Sequence, residues 1–182
     1  MLGNRGNIES TGLNSVNNTG NGNHFNIQNH LSAARILNRT YLYDFCEKFS
    51  MVDDGSDGYN TNITSGINDK IAYNEISLYK DIFKECDHYY EDVESILEEI
   101  PKRQRILTNI NIQYRRLKEL DEWNSKDELC DKVYQYLIQT IENDQNSGNI
   151  VVEDVELAIH SLMYYTFVKC KLLDPLPQNL NR

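Results

Sequence analysis

Apolar residues recur every three or four positions through most of the chain after residue 31, which is the spacing of helices with one buried face. The pattern predicts five helices, at about residues 32–50, 74–100, 102–120, 126–142 and 153–173. Ser32 is suited to cap the first helix, because a serine side chain accepts a hydrogen bond from a first-turn amide. Pro101 ends the second helix and is tolerated in the first turn of the third.

The last predicted helix differs from the others because its stretch LAIHSLMYYTFVKCKLL is apolar on most sides. A helix that is apolar all round is buried, so we expect it at the centre of the domain, with Leu162, Phe167 and Cys170 in the core. Acidic residues between Glu85 and Glu99 occupy the outer face of the second helix, where they are solvated. The fold class is therefore all-α, an irregular bundle of about five helices.

The first 30 residues are rich in Asn and Gly, which favour turns and disfavour a helix. Within them Phe25 and Ile27 alternate with polar residues, as in a short strand. A lone strand is not stable, so we expect this segment to order only on assembly, against a second copy of the chain or another protein. The predicted domains are an extended tail or assembly strand at 1–30, a helical accessory domain at 31–177 and a disordered end at 178–182.

Residues 53–69, DDGSDGYNTNITSGIND, are predicted to form a loop. Asp53, Asp57 and Gly58 are arranged as in a calcium-binding loop. Two ligand positions do not fit, because Gly55 has no side-chain oxygen and Thr64 stands where a bidentate glutamate is required. A solvated turn is the expected state of this segment.

The formal net charge of −10 favours solubility and disfavours general binding to a phosphate backbone. No stretch has the length and hydrophobicity of a membrane helix, and residues 1–10 lack the apolar core of a secretory signal. We therefore expect a cytoplasmic protein with no membrane contact. Cys46, Cys86, Cys130 and Cys170 are far apart and stand beside apolar residues, so reduced core cysteines are favoured over two disulfides.

Motifs for catalysis or cofactor binding are not found. The chain has no GxxxxGK[ST], no GxGxxG and no HExxH. His88 and Cys86 are two residues apart on a predicted helix, so their side chains diverge and cannot share a metal. His160 lies in the most apolar helix and is expected to be a hydrogen-bonded core or edge residue. The sequence thus predicts no enzyme activity, no cofactor and no bound metal.

One basic cluster stands out in the stretch PKRQRILTNINIQYRRLKEL. On a helix Lys102, Arg105 and Arg116 would share one edge, with the two arginines about 16 Å apart. The edge suits an acidic protein partner, or ion pairs with the acidic second helix, better than nucleic acid, because the chain as a whole is acidic. A contact with DNA stays open as an alternative.

The chain resembles the C-terminal domains of bacterial ABC-three-component conflict systems, relatives of Lamassu-type anti-phage defence. The resemblance rests on LAIHSLMYYTFVKCKLLDPLP, on IPKRQRILTNINIQYRR and on the leader GNHFNI, and it covers about residues 21–177. In such domains an aromatic-rich final helix is followed by a Lys/Cys/Lys turn and a proline. The corresponding residues here are Tyr164, Tyr165, Phe167, Lys169, Cys170, Lys171 and Pro175.

The resemblance implies two partners, an SMC-like ABC ATPase and an effector protein, which this domain would connect as a non-catalytic accessory subunit. No nuclease or protease domain precedes the tail in this sequence, so we expect either a stand-alone accessory component or a separated effector half. Two other functions remain open. One is a small DNA-binding regulator that uses the basic helix, and the other is an acidic immunity or antitoxin protein that masks a basic toxin.

Overall fold

Seven α-helices run through the residues that the computed structural model describes, 39–52 and 65–177. No strand occurs in these two ranges, so the predicted all-α class is confirmed. All of them belong to one compact unit. The helices are α1 (Tyr41–Phe49), α2 (Ser65–Asn74), α3 (Leu78–Cys86), α4 (Tyr90–Glu99), α5 (Gln104–Leu120), α6 (Lys126–Glu142) and α7 (Val152–Val168).

The predicted boundaries of α6 are confirmed at both ends, and those of α5 to within two residues. The side chain of Ser125 accepts a hydrogen bond from the amide of Glu128 and so caps the start of α6. Four apolar residues at four-residue steps, from Leu129 to Ile141, are buried along one face of this helix. Local capping and periodicity agree here, which is why the sequence pattern was sufficient.

The first helix is shorter than predicted. It begins at Tyr41, because Thr40 is extended (φ −119°, ψ 142°) and caps the helix by accepting a hydrogen bond from the amide of Leu42 at 3.1 Å. Residues 39 and 40 are therefore not helical, and the predicted helix from 32 is wrong there. Ser32, the predicted cap, lies outside the described residues.

The region from 65 to 100 also differs from the prediction. The helix predicted at 74–100 is two helices, α3 and α4, joined by a 3-10 turn at Asp87–Tyr89. Residues 65–69, predicted to be loop, belong to α2 instead. The apolar stripe runs on through the 3-10 turn, where Tyr89 is buried, so the periodicity contains no sign of the break.

Helix α7 lies at the centre of the bundle, as predicted, and packs against α1, α3, α4 and α6. Its buried residues include Leu162 and Phe167, neither of which exposes any measurable surface. The ring of Phe167 stacks on that of Phe83 at a centroid distance of 5.1 Å. The burial of α7 on most sides matches its nearly continuous apolar sequence.

The end of α7 corrects two predictions. The helix stops at Val168 instead of continuing to residue 173, and Cys170 is exposed and not in the core. Cys170 takes a left-handed conformation (φ 58°), and the amides of Lys171 and Leu172 turn back to the carbonyl of Thr166. Such a turn ends a helix by satisfying its last carbonyl groups. Leu172 and Leu173 are buried, but in an irregular segment.

This irregular segment is fixed to the bundle by Asp174. Its carboxylate accepts hydrogen bonds from the Nζ of Lys126 at 2.6 Å and of Lys118 at 2.7 Å, and from the hydroxyl of Tyr114 at 3.1 Å. Its backbone pairs with the Asn74 side chain through two hydrogen bonds of 2.9 and 3.0 Å. Burial acts to raise the pKa of the Asp174 carboxyl, but the two lysines outweigh it and hold this pKa at about 2.

No helix in the described ranges has the length and apolar character needed to cross a lipid bilayer.

Candidate functional site

The start of α1 is held in place by the carboxylate of Asp144, which lies 104 residues later in the sequence, just after α6. Asp144, which is only 4% exposed, accepts a hydrogen bond from the amide of Thr40 at 2.7 Å. Its second oxygen accepts from the backbone and side chain of Asn146 at 3.0 and 3.2 Å. A buried carboxylate is stable only when its oxygens are hydrogen-bonded, so this contact joins α1 firmly to the end of α6.

A cavity of about 120 Å³ opens beside this anchored helix start, between α1, α5 and α6. Four apolar side chains and several polar groups line it, so it combines an apolar interior with hydrogen-bonding groups. The apolar residues are Leu42, Ile106, Ile110 and Leu137, and the residues with polar groups are Thr40, Tyr41, Arg105, Asn109, Tyr136 and Thr140.

The polar groups around the cavity are only weakly engaged with one another. The hydroxyl of Tyr136 donates to Oδ1 of Asn109 at 3.4 Å, a long hydrogen bond. The hydroxyl of Thr140 donates to the carbonyl of Tyr136, one turn earlier in the same helix, at 2.8 Å. Arg105 is exposed. The Asn109 amide and the Arg105 guanidinium can therefore donate to an incoming ligand without breaking a strong internal bond.

A wider cleft of about 530 Å³ lies next to this cavity and shares Thr40 and Tyr41 with it. Arg39, Asp44 and Pro101 complete its lining. Arg39, which precedes α1, pairs with Asp44 of that helix at 3.1 Å, so its charge is partly satisfied. The α1 start thus stands between two depressions of the surface.

The exposed face of α5 continues from the cavity. Arg105, Ile112 and Arg116 fall within about 40° of one another around the helix axis. Ile112 is 49% exposed, so it presents apolar surface between the two arginines. Within the described ranges neither arginine takes part in an ion pair. We call Arg105, Ile112 and Arg116 the α5 stripe.

Lys102 does not belong to this stripe, which corrects the predicted three-residue edge. It precedes α5, in a turn where its φ is 62°. A lysine in the left-handed region interrupts the helical register, so its side chain cannot be placed by helical spacing. Lys102, like the two arginines, forms no ion pair within the described ranges.

The acidic helix α4 makes ion pairs with other cations instead. Glu98 pairs with Arg103 at 3.1 Å, Glu99 with Lys48 at 2.6 Å and Glu94 with Lys169 at 2.9 Å. The hydrogen bond from Lys169 and a second from Tyr165 lower the pKa of the Glu94 carboxyl. Ion pairing inside the fold therefore occurs, but it leaves the α5 stripe available.

Within residues 39–52 and 65–177, no three His, Cys, Asp or Glu side chains are grouped so that they could hold a metal ion. His160 is half-buried and lies flat against the ring of Tyr134, with centroids 4.5 Å apart and an interplanar angle of 5°. Burial lowers the pKa of its imidazole. The stacking and burial of His160 show that its ring packs against neighbouring side chains of the bundle.

The four cysteines are free, and three of them are buried as predicted. Burial raises the pKa of the thiols of Cys46 and Cys130, and it raises that of Cys86 to about 12. Cys170 differs, because its sulfur lies on the surface 3.4 Å from the Nζ of Lys70. That lysine is 5% exposed and also donates to the carbonyl of Phe167, which satisfies the end of α7.

Two predicted interaction residues, Phe25 and Ile27, lie outside the described residues, as do the rest of the 1–30 tail, the calcium-like loop at 53–64 and the end at 178–182. Their roles stay predictions. The cavity, in contrast, was not predicted. It is built from residues that are about 100 positions apart in sequence, and no local pattern signals such an arrangement.

Neither a curated protein sequence nor a solved structure matches the chain. Residues 42–174 match a family model described as C-terminal domain 10 of the ABC-three-component systems. The match starts in the first turn of α1 and ends at Asp174, the residue that fixes the final segment to the bundle, so it spans almost the whole described fold. The chain therefore belongs to the C-terminal domain 10 family of the ABC-three-component systems.

Proposed function

We propose that the chain is a non-catalytic adaptor that links the effector of an ABC-three-component system to its SMC-like ABC ATPase. Membership of the family supplies the first support, since a domain of a multi-component system has partner components in that system. The surface chemistry of the described residues supplies the second. The effector, the ATPase and a role in anti-phage or anti-plasmid defence are all part of the proposal.

The α5 stripe is the observation that carries this proposal. Arg105 and Arg116, which form no ion pair with any residue of the described ranges, flank the exposed Ile112 on a protein whose net charge is −10. Arginine is enriched in the parts of protein surfaces that partners cover, and the exposed isoleucine between the two arginines adds apolar area that a partner can bury. The carboxylates of the acidic helix α4 form ion pairs with other cations, namely Lys48, Arg103 and Lys169. The stripe is thus complementary to an acidic partner surface.

The roles of three buried or half-buried carboxylates support the non-catalytic part. Asp144 holds the residue that precedes α1 by accepting from the Thr40 amide, and Asp174 holds the final segment. Asp127 accepts hydrogen bonds from the amides of Ser77 and Tyr79, both at 2.9 Å, and so caps α3 from the start of α6. These three carboxylates are engaged in contacts that hold the fold together. A purified chain that hydrolyses nucleotide or nucleic acid, or that keeps one zinc or calcium ion after dialysis, would contradict this part.

Co-purification tests the adaptor proposal. The chain is co-expressed with the other proteins of its system, and Arg105→Glu, Arg116→Glu and the double variant are compared with the unchanged protein. We expect each single reversal to reduce recovery of the partners at least about tenfold, because it places a like charge against an acidic surface. Lys80→Glu on α3, an exposed lysine also without an ion pair in the described ranges, is the matched control and retains the partners.

Recovery of the full complex by the double variant would overturn the adaptor proposal as drawn. Two alternatives have their own signatures in the same experiment. A DNA-binding regulator predicts that the chain alone binds a 20-base-pair duplex with strong salt dependence, lost in the double variant. An immunity protein predicts one tight binary partner and no assembly with an ATPase.

A further inference from the structure

We infer that the cavity between α1, α5 and α6 receives one apolar side chain of a partner segment whose neighbouring carboxylate pairs with Arg105. This inference rests on the proposed adaptor function and specifies the chemistry of the partner. The contacts in the cavity differ from those of the α5 stripe, and Arg105 belongs to both sets. The inference assigns the partner segment an apolar anchor residue with an acidic residue beside it.

The size of the cavity limits the anchor. An apolar cavity of about 150 Å³ in another protein holds a benzene molecule. The cavity here, at about 120 Å³, is slightly smaller. A leucine, isoleucine or methionine side chain fits this space, whereas a tryptophan does not. Ile106, Ile110 and Leu137 surround the anchor with apolar contacts from two helices.

The polar lining determines what stands beside the anchor. Arg105 lines the cavity, is exposed and has no ion pair within the described ranges. Its guanidinium can hold a carboxylate through two parallel hydrogen bonds, a geometry that lysine does not offer. Asn109 and Tyr136 are joined only by a 3.4 Å hydrogen bond, so both can turn to the backbone of a bound segment.

The cavity is also held open before any partner arrives. Asp144 fixes the start of α1 against α6 through the Thr40 amide, and this contact is buried. The Thr40 hydroxyl fixes the first turn of α1. A preformed site loses little conformational entropy on binding, which favours recognition of a short segment. Phosphate groups of a nucleic acid could pair with Arg105 but would leave the apolar interior unfilled.

A peptide array tests the inference. Overlapping 15-residue peptides that cover the other proteins of the system are probed with the full-length chain, and those that bind are measured by fluorescence anisotropy. We expect them to share a leucine, isoleucine or methionine within three residues of an aspartate or glutamate. Alanine in place of either residue should weaken binding at least about tenfold.

Matched variants separate the contribution of the cavity to binding from that of the Arg105 charge. Thr140→Met fills the cavity and should abolish binding, whereas Thr140→Val keeps the volume and should bind normally. Both should fold, because the Thr140 hydroxyl bonds only to its own helix. Arg105→Gln should weaken binding, and Arg105→Lys should restore part of it. Circular dichroism melts verify that each variant is folded.

The outcomes distinguish this inference from the adaptor proposal. Peptides that bind Thr140→Met as well as the unchanged chain, or that lack an apolar anchor, would overturn the cavity inference. The cavity inference would also be overturned if the chain co-purified with the other proteins of its system but bound none of the peptides. The adaptor proposal would stand in that case. If the chain binds duplex DNA and neither peptides nor partners, both proposals fail.

Discussion

The contacts of Asp174 lead to a prediction about how the stability of the domain depends on pH. The carboxylate accepts hydrogen bonds from Lys118, Lys126 and Tyr114, and these contacts hold its pKa at about 2 in the folded state. In the unfolded chain an aspartate has a pKa of about 3.9. Ionised Asp174 therefore stabilises the fold above pH 3.9, and this contribution is lost as the pH falls towards 2.

The magnitude follows from the difference between the two pKa values. One unit corresponds to about 1.4 kcal/mol, so the difference from about 3.9 to about 2 gives an upper limit of about 2.6 kcal/mol. Solvent screens part of this energy, because the Asp174 side chain is 32% exposed. We expect Asp174→Asn to lower the free energy of unfolding by about 1–2 kcal/mol at pH 7. At pH 3 this difference should be about half as large.

Urea unfolding followed by far-ultraviolet circular dichroism measures this energy at pH 7 and pH 3. Glu91→Gln, which removes an exposed carboxylate on α4, is the control and should change stability little at either pH. An Asp174→Asn variant as stable as the unchanged protein at pH 7 would refute the reasoning. A difference that stays constant between the two pH values would show that charge is not its source.

Three further predictions concern the core, a helix cap and the cysteines. Phe167→Ala should cost about 3–5 kcal/mol in urea unfolding, because Phe167 is fully buried; an unchanged stability would contradict the central position of α7. Asp127→Ala should cost about 1–2 kcal/mol by the same assay, because it uncaps α3; Asp131→Ala, an exposed change nearby, should cost little. Iodoacetamide should label Cys170 first in the native protein, as judged by mass spectrometry of tryptic peptides, and label the three buried cysteines only on unfolding. Equal labelling of all four would contradict the burial.

Periodicity predicted those parts of the fold in which local signals and packing agree. Helix α6 has a serine cap and a buried residue every fourth position, and both of its ends were predicted. The central place of α7 followed from its apolar composition. In these elements the residues near in sequence are also the ones that determine the structure.

Helix α2 shows why other parts were not predictable. Its buried residues include Lys70 and Asn74, which a sequence pattern counts as polar and exposed. Lys70 donates to the Phe167 carbonyl, and Asn74 bonds to the backbone of Asp174, about 100 residues away. These partners exist only in the folded state, and the sequence pattern predicted a loop for residues 65–69, the first half of α2.

The end of α7 was missed for a related reason. Leu172 and Leu173 extend the apolar pattern, but the left-handed conformation at Cys170 ends the helix before them. Glycine or asparagine usually occupies such a position, and here a cysteine does, so composition contained no signal. The stripe residues Arg105 and Arg116 were identified from spacing alone, whereas the cavity beside Arg105 required α1, α5 and α6 to be assembled first.

Hydrogen–deuterium exchange of the purified complex tests the central claim most directly, which is that the surface formed by the start of α1, α5 and α6 contacts a partner component. Exchange is compared between the isolated chain and the chain in complex with the other proteins of its system. The account predicts slower exchange in peptides covering residues 40–44, 104–116 and 136–140, and unchanged exchange in α2 and α3. Protection confined to α2 and α3, with none on α5, would contradict it.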